Sequence, residues 1–595
     1  MTSPISRRGF VAAPLALAGC ATASQYFGDT VAPQRQSLTF AVGPEPKTMD
    51  PAKYEEESEL FILPCLFEGL ITYHPQTAEP TAGLATHYEI DEDGLRFTFY
   101  LHGHPNPRGV RLPNTDSLRS QYRAGQLNED FSRGRIAPPD WIPARWSDGQ
   151  TITAYDFVNS WRRVIDPVTA APLACLLYYV RHGREIYRGK RAPEDLGVRT
   201  PDAFTFQVDL ETPTPFFLAL VGNPALAATP RRAIEAAKRR GSEAEWTLPS
   251  NIVTSGPFVL RDWRSNERVV LIKNPLYYEA DLVALEEITF LPIRRSATIV
   301  NLYKTGQAHS MPGDRLPVHF LPVLNGKRDF HMEPAVFGIW SYFNTRRPPF
   351  DDVLVRYAVN MAVDKNQFVK VLGGGRTEAK TFVPPMPGYE PPAEVFVTVR
   401  GRTYNILAHD PEGARALLAS SQYGASVERS GRTIRTEFLY AEFPLVTLYA
   451  VMMQQQLREI LNIDLALVPK ERRAVSEKIT DLEYSGLAHG GDSGMYVDPT
   501  TFLGMFVTAS GGGTGWADGN YDAMLTNANS TLDPIGRMRK LSQCEHYLLS
   551  AMPVLPLLNN TWTYLRKPFV RGLTGNVLDI HQFKYAWIDT TWRPQ

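Results

Sequence analysis

Ala144-Arg-Trp-Ser-Asp-Gly-Gln-Thr-Ile-Thr-Ala-Tyr-Asp-Phe-Val-Asn-Ser-Trp-Arg-Arg163 reads as a turn, a short strand and a capped helix. Ser147-Asp148-Gly149 is a tight-turn signal in which Gly149 can supply a positive φ. Thr153 stands three residues before Asp156, the spacing of a capping box, so their oxygens can satisfy the first free helical N–H groups. Phe157, Trp161 and Val164 then recur at i, i+4 and i+7 and form one apolar face. Pro167 ends the run, because proline cannot continue a helix.

The same words resemble the signature of the extracytoplasmic solute-binding proteins of family 5, the oligopeptide- and dipeptide-binding receptors of ABC importers. The resemblance runs through most of the chain. Upstream lie Thr48-Met-Asp-Pro51, Leu66-Phe-Glu-Gly-Leu70, Ala82-Gly-Leu-Ala85, Glu92-Asp-Gly94 and Phe97-Thr-Phe99. Downstream lie Thr254-Ser-Gly-Pro-Phe258, Lys273-Asn-Pro275, Leu302-Tyr-Lys-Thr-Gly306, Pro348-Pro-Phe-Asp-Asp352 with Val355-Arg356, and Tyr496-Val-Asp-Pro-Thr-Thr-Phe-Leu503. Each word alone is weak; their shared order is specific. It implies an α/β, bilobal periplasmic-binding-protein clamp (type II, the three-domain cluster C) with hinge strands. It also implies a binding receptor, not an enzyme, working with ABC permease subunits as a monomer.

Composition agrees with a soluble globular chain. Its 595 residues are too many for one core, and 43% hydrophobic and 21% charged residues are ordinary. The first 19 residues hold two Arg and no acid, which leaves 60 basic and 63 acidic side chains from Cys20 onward. No concentrated basic face suggests nucleic acid, and no cofactor or metal motif stands out. Ser6-Arg7-Arg8-Gly9-Phe10 matches a twin-arginine export pattern, and Leu17-Ala-Gly-Cys20 resembles a lipobox with Cys20 as the lipidated residue. Residues 1–19 thus read as a signal peptide and 20–36 as a tether, placing the protein in the periplasm or cell envelope on a lipid anchor. Cys65, Cys175 and Cys544 remain. They allow at most one disulfide, show no metal spacing, and suit small buried hydrophobes.

Alternation over Leu38–Val42 predicts a strand, as does the apolar run Val269–Ile272. Glu437–Tyr440, the stripe Tyr449, Met453, Leu457 and Leu461, and the alternation Ile463, Leu465, Leu467 together predict a β-α-β unit. The resemblance divides the chain into lobe I (37–53, 206–292 and 558–595), an extra small domain (54–205) and lobe II (293–557), with Leu291-Pro292 beginning the crossing. Residues 102–145, rich in Arg, Pro and Gly, interrupt the small domain and read as solvated surface.

Two lobes joined by crossing strands put the ligand between them. By position in the resemblance, Val42, Gly43 and Glu45 on one side and Gly491, Asp492, Ser493, Met495 and Tyr496 on the other would flank an extended ligand, pairing with its main chain. The family's peptide receptors carry an Asp for the ligand's amine where this chain has Met495, and a carboxylate-gripping Arg where it has His489. A thioether cannot pair with a buried ammonium, so an amine-blocked peptide, opine, sugar conjugate or metal chelate stands beside a free peptide as ligand, unless Asp492 substitutes. Gly491-Asp-Ser-Gly494 also invites a serine-hydrolase reading at Ser493, which would need a His base and a buried Asp beside it.

Overall fold

The computed structural model describes residues 25–113, 140–313, 316, 320–424 and 433–594. The stretch at 144–163 folds as its local chemistry dictates. Gly149 takes φ +88 in the turn. The helix α1 (Ala154–Ile165) opens with the Thr153/Asp156 capping box, Thr153 N–H donating to Asp156 Oδ2 at 2.8 Å. Phe157, Trp161 and Val164 are buried. Trp161 Nε1 donates to Leu226 O at 3.0 Å, and Arg163 Nη1 to Asp50 Oδ1 at 2.9 Å, so the helix ties the small domain to the opening segment.

Among the described residues the architecture rests on one eleven-stranded sheet. Its strands in chain order are β1 (Ser37–Ala41), β2 (Phe258–Arg264), β3 (Arg268–Lys273), β4 (Glu287–Leu291), β5 (Ser310–Pro312), β6 (Phe330–Phe343), β7 (Thr377–Glu378), β8 (Ile434–Ala441), β9 (Ile463–Lys470), β10 (Leu487–Ser493) and β11 (Val554–Arg566). They lie in the order β9-β8-β10-β6-β11-β5-β1-β4-β3-β2, with β7 added to β11. The helix α2 (Pro444–Leu461) links parallel β8 and β9, so the β-α-β unit is present. A separate five-stranded sheet, built from strands between Ala85 and Asp209, carries the small domain.

Two long strands join the lobes. β6 pairs antiparallel with β11 from Phe330↔Leu565 to Tyr342↔Val554. Only the distal half of β6 also pairs with β10, and only the Tyr564–Arg566 end of β11 pairs with β5. After β4 the chain returns to the other side of β1 as β5 before β6 sets out, since Phe40 pairs with both Phe290 and Ser310. The register of the crossing ribbon shifts between Pro334 and Gly338, so the ribbon is bulged where it leaves one lobe for the other.

The apolar core divides accordingly. One cluster holds Leu38, Phe40, Trp161 and Trp246; a second holds Trp340, Phe438, Tyr449 and Leu555. A small third cluster surrounds Phe27, Tyr303 and Leu565. This corrects the expectation of a free tether over 20–36. From Gln25 the segment is docked: Phe27 is buried against Tyr303 and Phe320, and its N–H donates to Asp329 Oδ1 at 2.9 Å. One aromatic ring, easily overlooked in a polar stretch, holds it down. Cys20 and the twin-arginine segment lie outside the described residues. In the insertion, Val110–Arg111 adds an edge strand to the small sheet and Arg111 pairs with Asp140 at 3.1 Å, while 114–139 also lie outside the description. Cys65, Cys175 and Cys544 are free thiols, of which Cys65 and Cys544 are buried and Cys175 half-buried. No described helix is long and apolar enough to cross a membrane.

Candidate binding cleft

Strand directions aim the expected site residues at one another. β1 runs parallel to β5, and β5 and β6 both run antiparallel to β11, so β1 and β6 share a direction. β10 runs antiparallel to β6. The carboxyl ends of β1, leading into Val42, and of β10, at Ser493, therefore face each other across the crossing ribbon. In α/β lobes such strand ends are where ligands sit.

On β10, cross-strand partners decide which way each residue faces. His489, Gly491 and Ser493 oppose Ser341, Ile339 and Phe337 on one face; Gly490 and Asp492 oppose Trp340 and Gly338 on the other. Gly490 is tightly packed, because a Cβ there would lie 2.3 Å from Trp340 Nε1. Asp492 is reachable by solvent, yet it is so enclosed by protein that desolvation pushes its carboxyl up to about 6. A carboxylate held up by desolvation at the end of a strand is a candidate site residue. His489 does not supply the cation that the resemblance suggested. Burial pulls its imidazole down to about 4, and its ring stacks on Tyr449 at 5.7 Å, so it is neutral at pH 7.

Val42 is buried and its N–H donates to Leu291 O at 2.9 Å, continuing the β1–β4 ladder. Gly43 is buried beside it. Glu45 is turned away from a simple ligand role, because Oε1 accepts from Trp263 Nε1 at 2.8 Å and Oε2 from the Asn266 N–H at 2.9 Å. Its carboxylate pins the β2–β3 hairpin to the end of β1.

Met495 and Tyr496 join the two cores. Tyr496 is buried within the first cluster, its ring stacked on Phe216 at 5.2 Å and 5°. Met495 packs against the same cluster and its carbonyl accepts from Asn223 Nδ2 at 3.4 Å. Asp498, two residues beyond Tyr496, accepts from Arg537 Nη1 at 2.6 Å and Nη2 at 2.9 Å, and the Arg537 guanidinium lies over the Phe216 ring at 5.1 Å. Phe216, Asn223 and Arg537 escaped the sequence reading. Phe216 meets Tyr496, and Asn223 meets Met495, only across more than 250 residues, while Arg537 reaches Asp498 across 39.

The model of the bacterial extracellular solute-binding proteins, family 5, matches residues 143–514. The chain belongs to this family. The family 5 chain is 28% identical to the periplasmic oligopeptide-binding protein OppA of Salmonella typhimurium over 586 residues, covering 96% of this chain and 97% of that one. It is also 28% identical to the probable deoxycholate-binding periplasmic protein YgiS of Escherichia coli, over 91% of each chain. Among solved structures, the Escherichia coli murein tripeptide binding protein MppA superposes with a TM-score of 0.74 at 25% identity, over 94% of this chain and 99% of that one. Haemophilus influenzae OppA in complex with RPPGFSPFR gives 0.73 at 25% identity, over 94% and 99%.

The bilobal α/β clamp is thus the fold of this family 5 protein, and its class is that of binding receptors. The hydrolase reading at Ser493 is set aside on this ground and on geometry. Among the described residues no histidine bonds the Ser493 hydroxyl, and the Ser493 N–H donates to Asp492 Oδ1 at 2.8 Å. The nearby His489 is spent in its stack with Tyr449.

Proposed function

We propose that this protein is a lipid-anchored extracytoplasmic receptor that captures a peptide-like ligand between its lobes and delivers it to an ABC import permease. The observation that carries the reading is the opposition of the β1 and β10 carboxyl ends across a two-stranded crossing, in a chain of this family. Val42, Gly43, Gly491, Asp492, Ser493 and Met495 line the cleft, with Tyr496 as its floor, and the ligand main chain pairs with the exposed edge at Gly491. Relatives named for oligopeptides and for a murein tripeptide support a peptide. A second reading is supported by Met495, whose half-buried thioether offers nothing to an ammonium: the ligand lacks a free amine. The relative named as a probable deoxycholate-binding protein supports it too.

Anchoring through Cys20 and export by the twin-arginine route complete the proposal, with the receptor acting as a monomer in the periplasm. Native mass spectrometry of protein purified without denaturation tests the ligand class, by reading the mass of whatever co-purifies. A peptide mass supports the first reading, and a non-peptide mass the second. Cys20→Ala tests the anchor: the variant should leave the membrane fraction folded, and unchanged membrane association would refute lipidation.

A further inference from the structure

The docked amino-terminal segment fixes the place where the chain comes off the protein. Gly28 crosses the end of the helix Ser296–Lys304 so closely that a Cβ on it would lie 2.5 Å from Lys304 Cα, and the Asp29 N–H donates to Lys304 O at 2.7 Å. Gln25 O accepts from the Arg328 N–H at 2.9 Å, and Tyr26 meets Trp592 edge to face at 5.6 Å. Arg328 lies just before β6 and Lys304 before β5. Trp592 follows Ile588, whose N–H donates to the Gln36 side chain at the start of β1. The segment therefore sits at the amino ends of β1, β5 and β6, the pole opposite the cleft, which lies at the carboxyl end of β1.

This pole is basic. Lys304, Arg328 and Arg593 are exposed, with Lys327 half-buried among them. Among the described residues Lys304, Arg328 and Arg593 pair with no acid, and the Lys304 ammonium rests over the Phe27 ring at 5.6 Å. The acids nearby are occupied. Asp29 accepts from the Val31 N–H at 3.1 Å, and Asp589 faces Arg571 at 3.9 Å. Asp329 is buried, bonded to the Phe27 N–H and the Tyr303 hydroxyl, with the Lys567 ammonium on the same Tyr303 ring at 3.8 Å. Unpaired cations beside a Tyr–Trp pair suit an anionic bilayer surface, which attracts Lys and Arg and takes aromatic rings at headgroup level. The length of chain beyond Gln25 selects that occupant. Cys20 is five residues away, a span of at most about 18 Å, so a lipid on Cys20 keeps this pole at the membrane.

We infer that this pole is a docking surface for anionic phospholipid headgroups, which holds the receptor end-on with its cleft away from the bilayer. The inference deepens the lipid-anchored reading and rests on it. The test uses purified Cys20→Ala protein, which carries no lipid, so the surface is read apart from the anchor. It should cosediment with vesicles of phosphatidylcholine containing about one-third phosphatidylglycerol, not with phosphatidylcholine alone, and come off in high salt. Lys304→Gln, Lys327→Gln and Arg328→Gln should each weaken binding about fivefold, and together about a hundredfold. Arg232→Gln, Arg239→Gln and Arg240→Gln together remove as many exposed cations at the helix Arg231–Arg239, beside α1, and should leave binding unchanged. Thermal melting checks that both triple variants fold. Equal loss in the two, or no binding to the anionic vesicles, overturns the proposal. A dimer in native mass spectrometry that the first triple variant abolishes would assign the face to a second copy and overturn it as well. The anchor is judged separately, in salt-washed cell membranes where surface contact is lost: it falls if Cys20→Ala stays bound there, whatever the vesicles show.

Discussion

Replacing Asp498 by alanine strikes the point where the two cores meet. The Asp498 and Arg537 side chains are 5% and 3% exposed. The carboxylate accepts four bonds, two from Arg537 at 2.6 and 2.9 Å, one from the Thr500 N–H at 3.0 Å and one from Thr500 Oγ1 at 2.6 Å. Asp498→Ala leaves the guanidinium buried with only the Phe216 ring, 5.1 Å away, to stabilise it, and its Nε already lacks a partner. An uncompensated buried charge costs about 3–5 kcal/mol. The Thr500 N–H orphaned with it puts the expectation at the upper end of that range, while the Thr500 hydroxyl keeps the Tyr496 hydroxyl at 3.3 Å. Adding Arg537→Met removes the stranded charge, so the double variant should be more stable than Asp498→Ala alone by roughly 1–3 kcal/mol. Urea titration followed by tryptophan fluorescence, compared at equal m, measures both. A loss below about 1 kcal/mol, the worth of an exposed pair, or a double variant no better than the single one, would refute the argument.

Gly490→Ala should destabilise by about 1–3 kcal/mol, because the new Cβ overpacks against Trp340 Nε1 at 2.3 Å and Tyr342 at 2.6 Å; thermal melting checks it. If Asp492 holds a ligand ammonium, binding of trialanine should strengthen as pH rises through about 6, and Asp492→Asn should weaken it by roughly 2–5 kcal/mol, while N-acetyl-trialanine responds to neither. With Met495 at the family's amine-binding position, we expect calorimetry to favour the acetylated peptide, and a clear preference for the free amine would overturn that. The depressed His489 means that the unfolded chain takes up its proton first. Its contribution to stability is therefore full above about 6.5 and lost as pH falls towards 4, and His489→Gln should flatten that part of the stability–pH curve. A ligand that bridges the lobes should lower the radius of gyration in small-angle scattering while raising the melting temperature, and stabilisation without compaction would end the clamp mechanism.

Much of the architecture is written in neighbours. The Thr153/Asp156 box, the Gly149 turn and the apolar face of α1 need only residues a few positions apart, and all three stand as their spacing implies. The β8-α2-β9 unit follows from a change of period from alternating to helical and back, which any short window reveals. Ordered words along the chain carried the family. What the sequence could not decide depends on partners far away and on how much water they exclude. Phe216 meets Tyr496 only once the two cores come together, and Glu45 meets Trp263 only once the distant segments of one lobe pack. Phe27 looks like one ring in a polar tether until Tyr303 and Phe320 bury it. His489 has the ordinary charge of an imidazole until Tyr449 and the sheet strip its solvent away. Local hydrogen bonding and periodicity are properties of a short segment; desolvation belongs to everything packed around it, so the shifts of His489 and Asp492 come from the tertiary structure alone.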